Sequence, residues 1–266
     1  MVAGVKLQPG GILMVGTNKA LGQHWLKNRA ILDEIADLAA SEGDDNLCLE
    51  IGPGLGFLTS SLLKRFKKVI AVEYDERLAI NLPNSFPGKN LEVVHGDILR
   101  YDFSCIKDPY VVAGNIPYYI TSPIIEKLLK AENPPKRIVL LVQKEVAERI
   151  TSKKETQLSL FVKDRANVFA GPLVKKDEFT PPPKVDSKIV VMEPHPRQVD
   201  DEVFELIKQG FVMPRKKLIH NLAKLTDEIK LKQLFFELGI DKDVRPGDLS
   251  LDDWKKLQVL MSSLKS

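Results

Sequence analysis

The chain has 266 residues, enough for one full catalytic domain and a small appendage, and its 44% hydrophobic and 28% charged content is that of an ordinary globular protein with a real core. No stretch approaches the roughly 20 apolar residues that cross a bilayer, and residues 11–16, the nearest thing to a secretory segment, are too short for one, so a cytoplasmic protein with no membrane partner is expected. A net charge of +3 is too small to argue for nucleic acid by itself, and two cysteines outside any CxxC spacing, Cys48 and Cys105, leave no disulfide framework and no zinc or other metal site to expect.

Residues 1–18 match no pattern and are expected to form a partly disordered extension. Beyond them, short apolar runs at residues 47–51, 69–73, 91–94, 110–114 and 137–143 read as strands. Between them, residues 57–65, 76–82 and 122–130 carry helical spacing. Near-continuous apolar strands alternating with amphipathic helices predict a mostly parallel sheet covered on both faces. Residues 159–170 read as a helix running into a strand, Thr180-Pro181-Pro182-Pro183 as a stiff extended turn, and residues 185–192 as a further strand. Residues 193–197 look like a linker. From 198 onward Leu206, Ile207, Phe211, Leu218, Leu222, Leu231, Leu234 and Phe235 recur at helical spacing. The expected architecture is α/β, a Rossmann-like domain with a mostly parallel sheet over 19–193 followed by a small all-helical domain over 198–266.

Charge is uneven along this plan. Lys6, Lys19, Lys27 and Arg29 precede the first acid, Asp33. A second basic stretch holds Arg215, Lys216, Lys217, Lys224, Lys230 and Lys232 against Asp227 and Glu228. Such segments suit a polyanion, although solvated helix faces look the same.

The first apolar run leads into Glu50-Ile51-Gly52-Pro53-Gly54-Leu55-Gly56, a strand-to-helix turn whose glycines let backbone approach a ligand. Gly-x-Gly-x-Gly differs from the dinucleotide spacing Gly-x-Gly-x-x-Gly and suits S-adenosylmethionine, which has no pyrophosphate. The next strand ends in Glu73, about 20 residues beyond the first glycine, where a carboxylate can accept from ribose hydroxyls. His95-Gly96-Asp97-Ile98 ends the strand after that and offers Asp97 to an adenine amine. Each acid alone is also an ordinary strand end; three features in order, each at the carboxyl end of a successive strand, form a ligand site.

The fourth run ends in Asn115-Ile116-Pro117-Tyr118. An adenine N6 amine is a poor nucleophile because its lone pair is delocalised into the ring. The Asn115 side-chain oxygen and a carbonyl of Ile116 or Pro117 can bind both N–H hydrogens and aim the lone pair at a methyl group. Tyr118 offers a face on which an extruded base stacks. No metal and no covalent nucleophile are required. Phe179, before the proline turn, could close the other side of a base pocket or be a core residue; Trp25 and Tyr119 are taken as packing.

At this point the chain resembles the KsgA-type ribosomal RNA adenine dimethyltransferases over residues 19–254. The motifs are Leu21-Gly22-Gln23-His24-Trp25-Leu26, the glycine turn, Gly114-Asn115-Ile116-Pro117-Tyr118-Tyr119-Ile120, Gln143-Lys144-Glu145-Val146-Ala147, the segment from Phe179 to Ser187, and Arg215-Lys216-Lys217-Leu218. The resemblance implies cofactor contacts from His24, Leu26, Gly52, Gly54, Glu73, Tyr74, Asp97, Ile98 and Asn115. It implies amine and base handling by Asn115, Ile116, Pro117, Tyr118 and Phe179. It also implies RNA contacts from Lys144, Arg215, Lys216 and Lys217, with two adjacent adenines of the small-subunit rRNA 3′ hairpin as target of a monomeric enzyme. His24 stands where many bacterial members have Asn, Trp25 where Phe is usual, and Thr156-Gln157 replace the usual pair before Leu158-Ser159. The competing readings are an Erm-type enzyme acting on large-subunit rRNA and a non-catalytic ribosome-assembly factor on the same fold.

Overall fold

A computed structural model describes residues 23–40, 46–196 and 201–263. The expected N-terminal extension, with Lys6 and Lys19, lies outside them. The described chain opens with β1 (Trp25–Leu26) and α1 (Arg29–Ala39). Asn28 caps α1 by accepting from the Ala30 and Ile31 amides, and Leu32, Ile35, Ala36 and Ala39 form its buried stripe. Then come β2 (Leu47–Ile51), α2 (Phe57–Leu62), β3 (Lys68–Glu73), α3 (Glu76–Asn81), β4 (Leu91–His95), β5 (Val111–Asn115), α4 (Thr121–Lys130) and β6 (Arg137–Gln143). After these follow α5 (Lys144–Thr151), α6 (Gln157–Arg165), β7 (Ala166–Val174), β8 (Phe179–Thr180) and β9 (Ser187–Pro194).

The main sheet has the order β4-β3-β2-β5-β6-β9-β7. Its first five strands are parallel, and β9 runs antiparallel between β6 and β7. The chain winds outward from β2 through β3 and β4, then returns to the other side of β2 as β5. Between β2 and β5 the order reverses, and a crevice opens at the carboxyl ends there. The register Ile51↔Gly114 sets the glycine turn beside Asn115.

Local differences from the sequence reading have local causes. The helix read over 57–65 ends at Leu62, and tight turns follow as Arg65 ties back to the Ser61 carbonyl and to Asp33 and Asp37. Residues 159–170 divide at Ala166, and α6 starts earlier, at Gln157, because the Thr156 hydroxyl accepts from the Ser159 amide. The last sheet strand starts at Ser187 rather than residue 185, after Asp186 turns to accept from the Lys176 amide. The helices α1 and α5 and the β1–β8 pair are additions to that reading.

Past residue 200 the chain is helical: α7 (Asp201–Gly210), α8 (Leu218–Leu222), α9 (Glu228–Glu237) and α10 (Leu251–Ser263). These helices share one hydrophobic cluster with a face of the main sheet, from Leu49 and Leu140 through Phe161 to Phe204, Leu218, Phe235 and Trp254. Arg165, 2% exposed at its side chain, reinforces the junction. Its guanidinium lies 4.2 Å from the Phe161 ring centroid and 5.3 Å from that of Phe204, and it pairs with Asp164 and Asp201. Lower down, the Glu155 amide donates to the Gly247 carbonyl at 2.9 Å. A Cβ at Gly247 would sit 2.6 Å from the Glu155 carbonyl oxygen, so the two backbones meet only because that residue is glycine.

Candidate functional site

A cavity of about 310 Å³ occupies the crevice. His24, Leu26, Gly52, Gly54, Glu73 and Tyr74 lie on its wall, and so do Asp97, Ile98, Asn115, Ile116, Pro117 and Tyr118. The sequence placed these residues on five separate segments, and the fold brings all of them together.

The glycine turn forms the floor. Gly52, Gly54 and Gly56 have φ of 63°, 59° and 83°, in the left-handed region. A Cβ at Gly54 would stand 3.3 Å from the Trp25 indole nitrogen. Trp25 is therefore part of the cavity wall, laid over the glycine turn, and not the packing residue expected from sequence. Tyr119 likewise is 65% exposed at the cavity mouth instead of packed.

Glu73 is 6% exposed, and its two oxygens accept from the Gly54 amide at 3.0 Å and the Asp75 amide at 2.8 Å. Burial pushes its carboxyl up, and these amides pull against that. Each oxygen keeps a further lone pair for a hydroxyl. Asp97 accepts from the Leu99 amide at 2.9 Å through one oxygen and stands on the wall at the next strand end.

Glu50 was not singled out by sequence. It is 1% exposed on the cavity floor, and neither carboxylate oxygen has a hydrogen-bond partner among the described residues. Burial pushes its carboxyl up to about 8, only partly offset by neighbouring Thr59. A buried, unsatisfied acid in a ligand cavity calls for a cation or a donor. The sequence signal was available, since Glu50 is the only charged residue inside an otherwise apolar strand. S-adenosylmethionine carries an ammonium and a sulfonium, so an orphaned acid, a glycine cradle and two strand-end carboxylates fit its charge and hydroxyls.

The Asn115 amide has a defined orientation. Its Nδ2 donates to the His24 backbone carbonyl at 3.0 Å. A carbonyl only accepts, so the NH2 end must face it, and Oδ1 is left as the free acceptor. Tyr118 is half-buried, and its hydroxyl pairs with the Ser187 hydroxyl at 2.8 Å. Its ring stacks on His24, with centroids 6.1 Å apart and planes 21° from parallel.

Phe179 is not brought to the cavity. It is 3% exposed in the hydrophobic cluster beneath β1, where β8 pairs Leu26↔Phe179 and Trp25↔Thr180. The segment it belongs to has another task. Together with Asn28 donating to Glu178 and His24 bonding the Pro181 carbonyl, it straps residues 24–28 across the cavity. Two-residue strands so far apart in sequence carry no periodicity, which is why this pairing was not legible.

The basic residues lie elsewhere. Lys144 begins α5 just beyond the carboxyl end of β6, and its ammonium is 3.8 Å from Glu148. Arg215, Lys216 and Lys217 occupy the exposed turn between α7 and α8. Lys217 pairs with Asp243 at 2.7 Å, whereas Arg215 and Lys216 form no ion pair among the described residues. Among those residues no cluster of three or more His, Cys, Asp or Glu side chains could hold a metal ion, and no helix is long and apolar enough to cross a membrane.

Comparisons with known proteins identify the family and the fold. A family described as ribosomal RNA adenine dimethylase matches residues 14–262. The small-subunit rRNA methyltransferase A of Thermosynechococcus vestitus is 38% identical over 265 residues, covering 95% of this chain and 99% of that protein. The protein of the same name from Nostoc sp. is 39% identical over 271 residues, covering 93% and 99%. Among solved structures, a dimethyladenosine transferase from Plasmodium falciparum superposes with a TM-score of 0.77 at 31% identity, over 90% of this chain and 98% of that one. The 23S rRNA methyltransferase ErmE superposes at 0.73 with 24% identity, over 90% and 99%, a likeness of fold.

Proposed function

Because the chain belongs to the ribosomal RNA adenine dimethylase family, we propose that it transfers methyl groups from S-adenosylmethionine to the N6 amines of two adjacent adenines in the 3′-terminal hairpin of small-subunit rRNA, two to each. The observation that carries this reading is the Asn115 amide, locked by His24 so that its oxygen is left over inside a cavity walled by Tyr118. The curated relatives quoted above bear a small-subunit name, which favours that target over the large subunit. The reading places the protein in the cytoplasm, acting as a monomer on the immature small subunit.

When bound, S-adenosylmethionine supplies an activated methyl group on a sulfonium. The residues of the chain position everything around it. The glycine turn and Glu50 hold the amino-acid end, Glu73 accepts from the ribose, and Asp97 with Ile98 and Tyr74 flank the adenine. Tyr118 offers its ring to the extruded target base. Asn115 Oδ1 and a carbonyl of Ile116 or Pro117 would bind the two amine hydrogens, so that the nitrogen turns pyramidal with its lone pair toward the methyl group, and the methylated nitrogen would give up one of these protons to solvent. Pro117 has φ of −59° and no N–H, which keeps that backbone from forming a competing donor. Catalysis is thus orientation plus two acceptors, with no covalent intermediate. The helical part from Asp201 onward docks on rRNA through Arg215, Lys216 and Lys217, with Lys144 at the carboxyl end of β6.

The test is methylation of purified immature small subunits and, separately, of protein-free large-subunit rRNA, read by mass spectrometry. Two adjacent dimethyladenines in the small-subunit hairpin are expected. Label in the large-subunit RNA alone would overturn the target. No cofactor binding by calorimetry at millimolar ligand would instead favour a non-catalytic assembly factor.

A further inference from the structure

His24 touches both residues that handle the amine. Its backbone carbonyl takes the Asn115 Nδ2 at 3.0 Å, and its ring stacks on Tyr118. The ring is itself held. Nδ1 lies 2.8 Å from the Pro181 carbonyl oxygen, and since a carbonyl only accepts, Nδ1 carries the proton. The imidazole is therefore fixed in plane and tautomer between the proline turn and Tyr118.

The need for such a contact follows from the geometry of a tyrosine. The Tyr118 backbone fixes one end of its ring axis, and the Ser187 hydroxyl, 2.8 Å from the phenol oxygen, fixes the other. Rotation about that axis moves neither end, so neither contact sets the plane of the ring. A stacked neighbour does. We propose that the His24 side chain is a positioning residue that sets the plane of the Tyr118 face, on which the target base stacks, while its backbone carbonyl orients the amide of Asn115. This rests on the amine-methylation reading above. It differs from a direct cofactor contact by His24, because the ring is already committed to Pro181 and Tyr118.

The side chain has two separable parts, a donor and a flat ring, and three variants separate them. His24→Ala removes both, His24→Asn keeps a donor, and His24→Phe keeps a ring. Steady-state kinetics on the rRNA substrate, cofactor affinity by calorimetry and the Tyr118 ring-flip rate by NMR with labelled tyrosine are measured on each. His24→Ala is expected to lower kcat about 30-fold with cofactor Kd within about twofold, an effect of misplacement at the reacting centre. His24→Phe should recover most of that loss and His24→Asn little. Ring flipping should quicken in the Ala and Asn variants and stay near the parent rate in Phe.

The proposal is overturned if His24→Ala keeps kcat within about twofold, if Asn recovers as much as Phe, or if cofactor Kd weakens in step with kcat. Should the Ala variant not fold, the Asn and Phe variants decide between them. Were the unaltered protein to label no adenine, the proposed function would fail, and the ring-flip comparison would still decide the role of His24.

Discussion

Replacing Glu50 with glutamine should stabilise the cofactor-free protein at alkaline pH while weakening its hold on S-adenosylmethionine. Burial, only partly offset by Thr59, moves this carboxyl from 4.5 to about 8. Between those values the folded protein keeps a proton that the unfolded chain has released. The stability present below 4.5 therefore falls as pH rises and levels off above about 8, a loss of roughly 5 kcal/mol. Glutamine cannot ionise, so it removes this slope, though its own unsatisfied amide costs about 1–3 kcal/mol at every pH. The melting temperature of Glu50→Gln minus that of the parent should start near or below zero at about pH 5. It should climb by about 8–16 °C toward about pH 9, since about 4 kcal/mol is lost over that range at about 2–4 °C per kcal/mol for a chain of this size. Differential scanning calorimetry without cofactor across that range measures it. A difference that stays constant with pH would refute the reasoning, because only an ionising, buried Glu50 gives a slope of this sign. The same variant should bind cofactor at least about tenfold more weakly at neutral pH, because glutamine cannot release the proton that a ligand cation would drive from the Glu50 carboxyl.

Four further outcomes are expected. Asn115→Ala should lower methyl transfer by about 100-fold or more while cofactor affinity by calorimetry changes little, since it removes an acceptor for the amine. Glu73→Ala should raise cofactor Kd by about tenfold or more, and it should also lower the melting temperature because the Gly54 and Asp75 amides lose their acceptor. In filter-binding titrations, Arg215→Ala and Lys216→Ala should each weaken RNA binding and reduce its salt slope by about 1. Lys217→Ala should do less, because Asp243 already neutralises that ammonium. Gly247→Ala should cost about 1–3 kcal/mol in chemical denaturation, since the new Cβ meets the Glu155 carbonyl.

Much of the site was legible because its chemistry sits at strand ends. The runs at 47–51 and 137–143 coincide with β2 and β6, and once the sheet is parallel, Gly52, Glu73, Asp97 and Asn115 must converge. Three things were less legible. Phe179 stands beside a proline turn, where an aromatic can face a ligand or the core, and only the pairing with Leu26 decides for the core. The helix α5 is short and mostly polar, with just Ala147 and Ile150 buried, too few for a period. Trp25 was read by residue type alone, while its position over Gly54 depends on a strand pair closed across the width of the chain. In each case the missing information was a long-range contact, which residue type and spacing do not encode.

The hydrophobic cluster running without a break from the central strands through Phe161 into Phe204 and Trp254, with Arg165 packed against two of its rings, has a consequence for the distance between the cavity and the basic turn. A hinge between the two ends would let the basic turn at Arg215 and Lys216 wander relative to the cavity. One shared core makes the spacing between them a constant of the fold, so on the proposed RNA contacts the protein would act as a ruler. If RNA is gripped there, as proposed above, an adenine would be selected by its distance from that grip as much as by the shape of the pocket it enters.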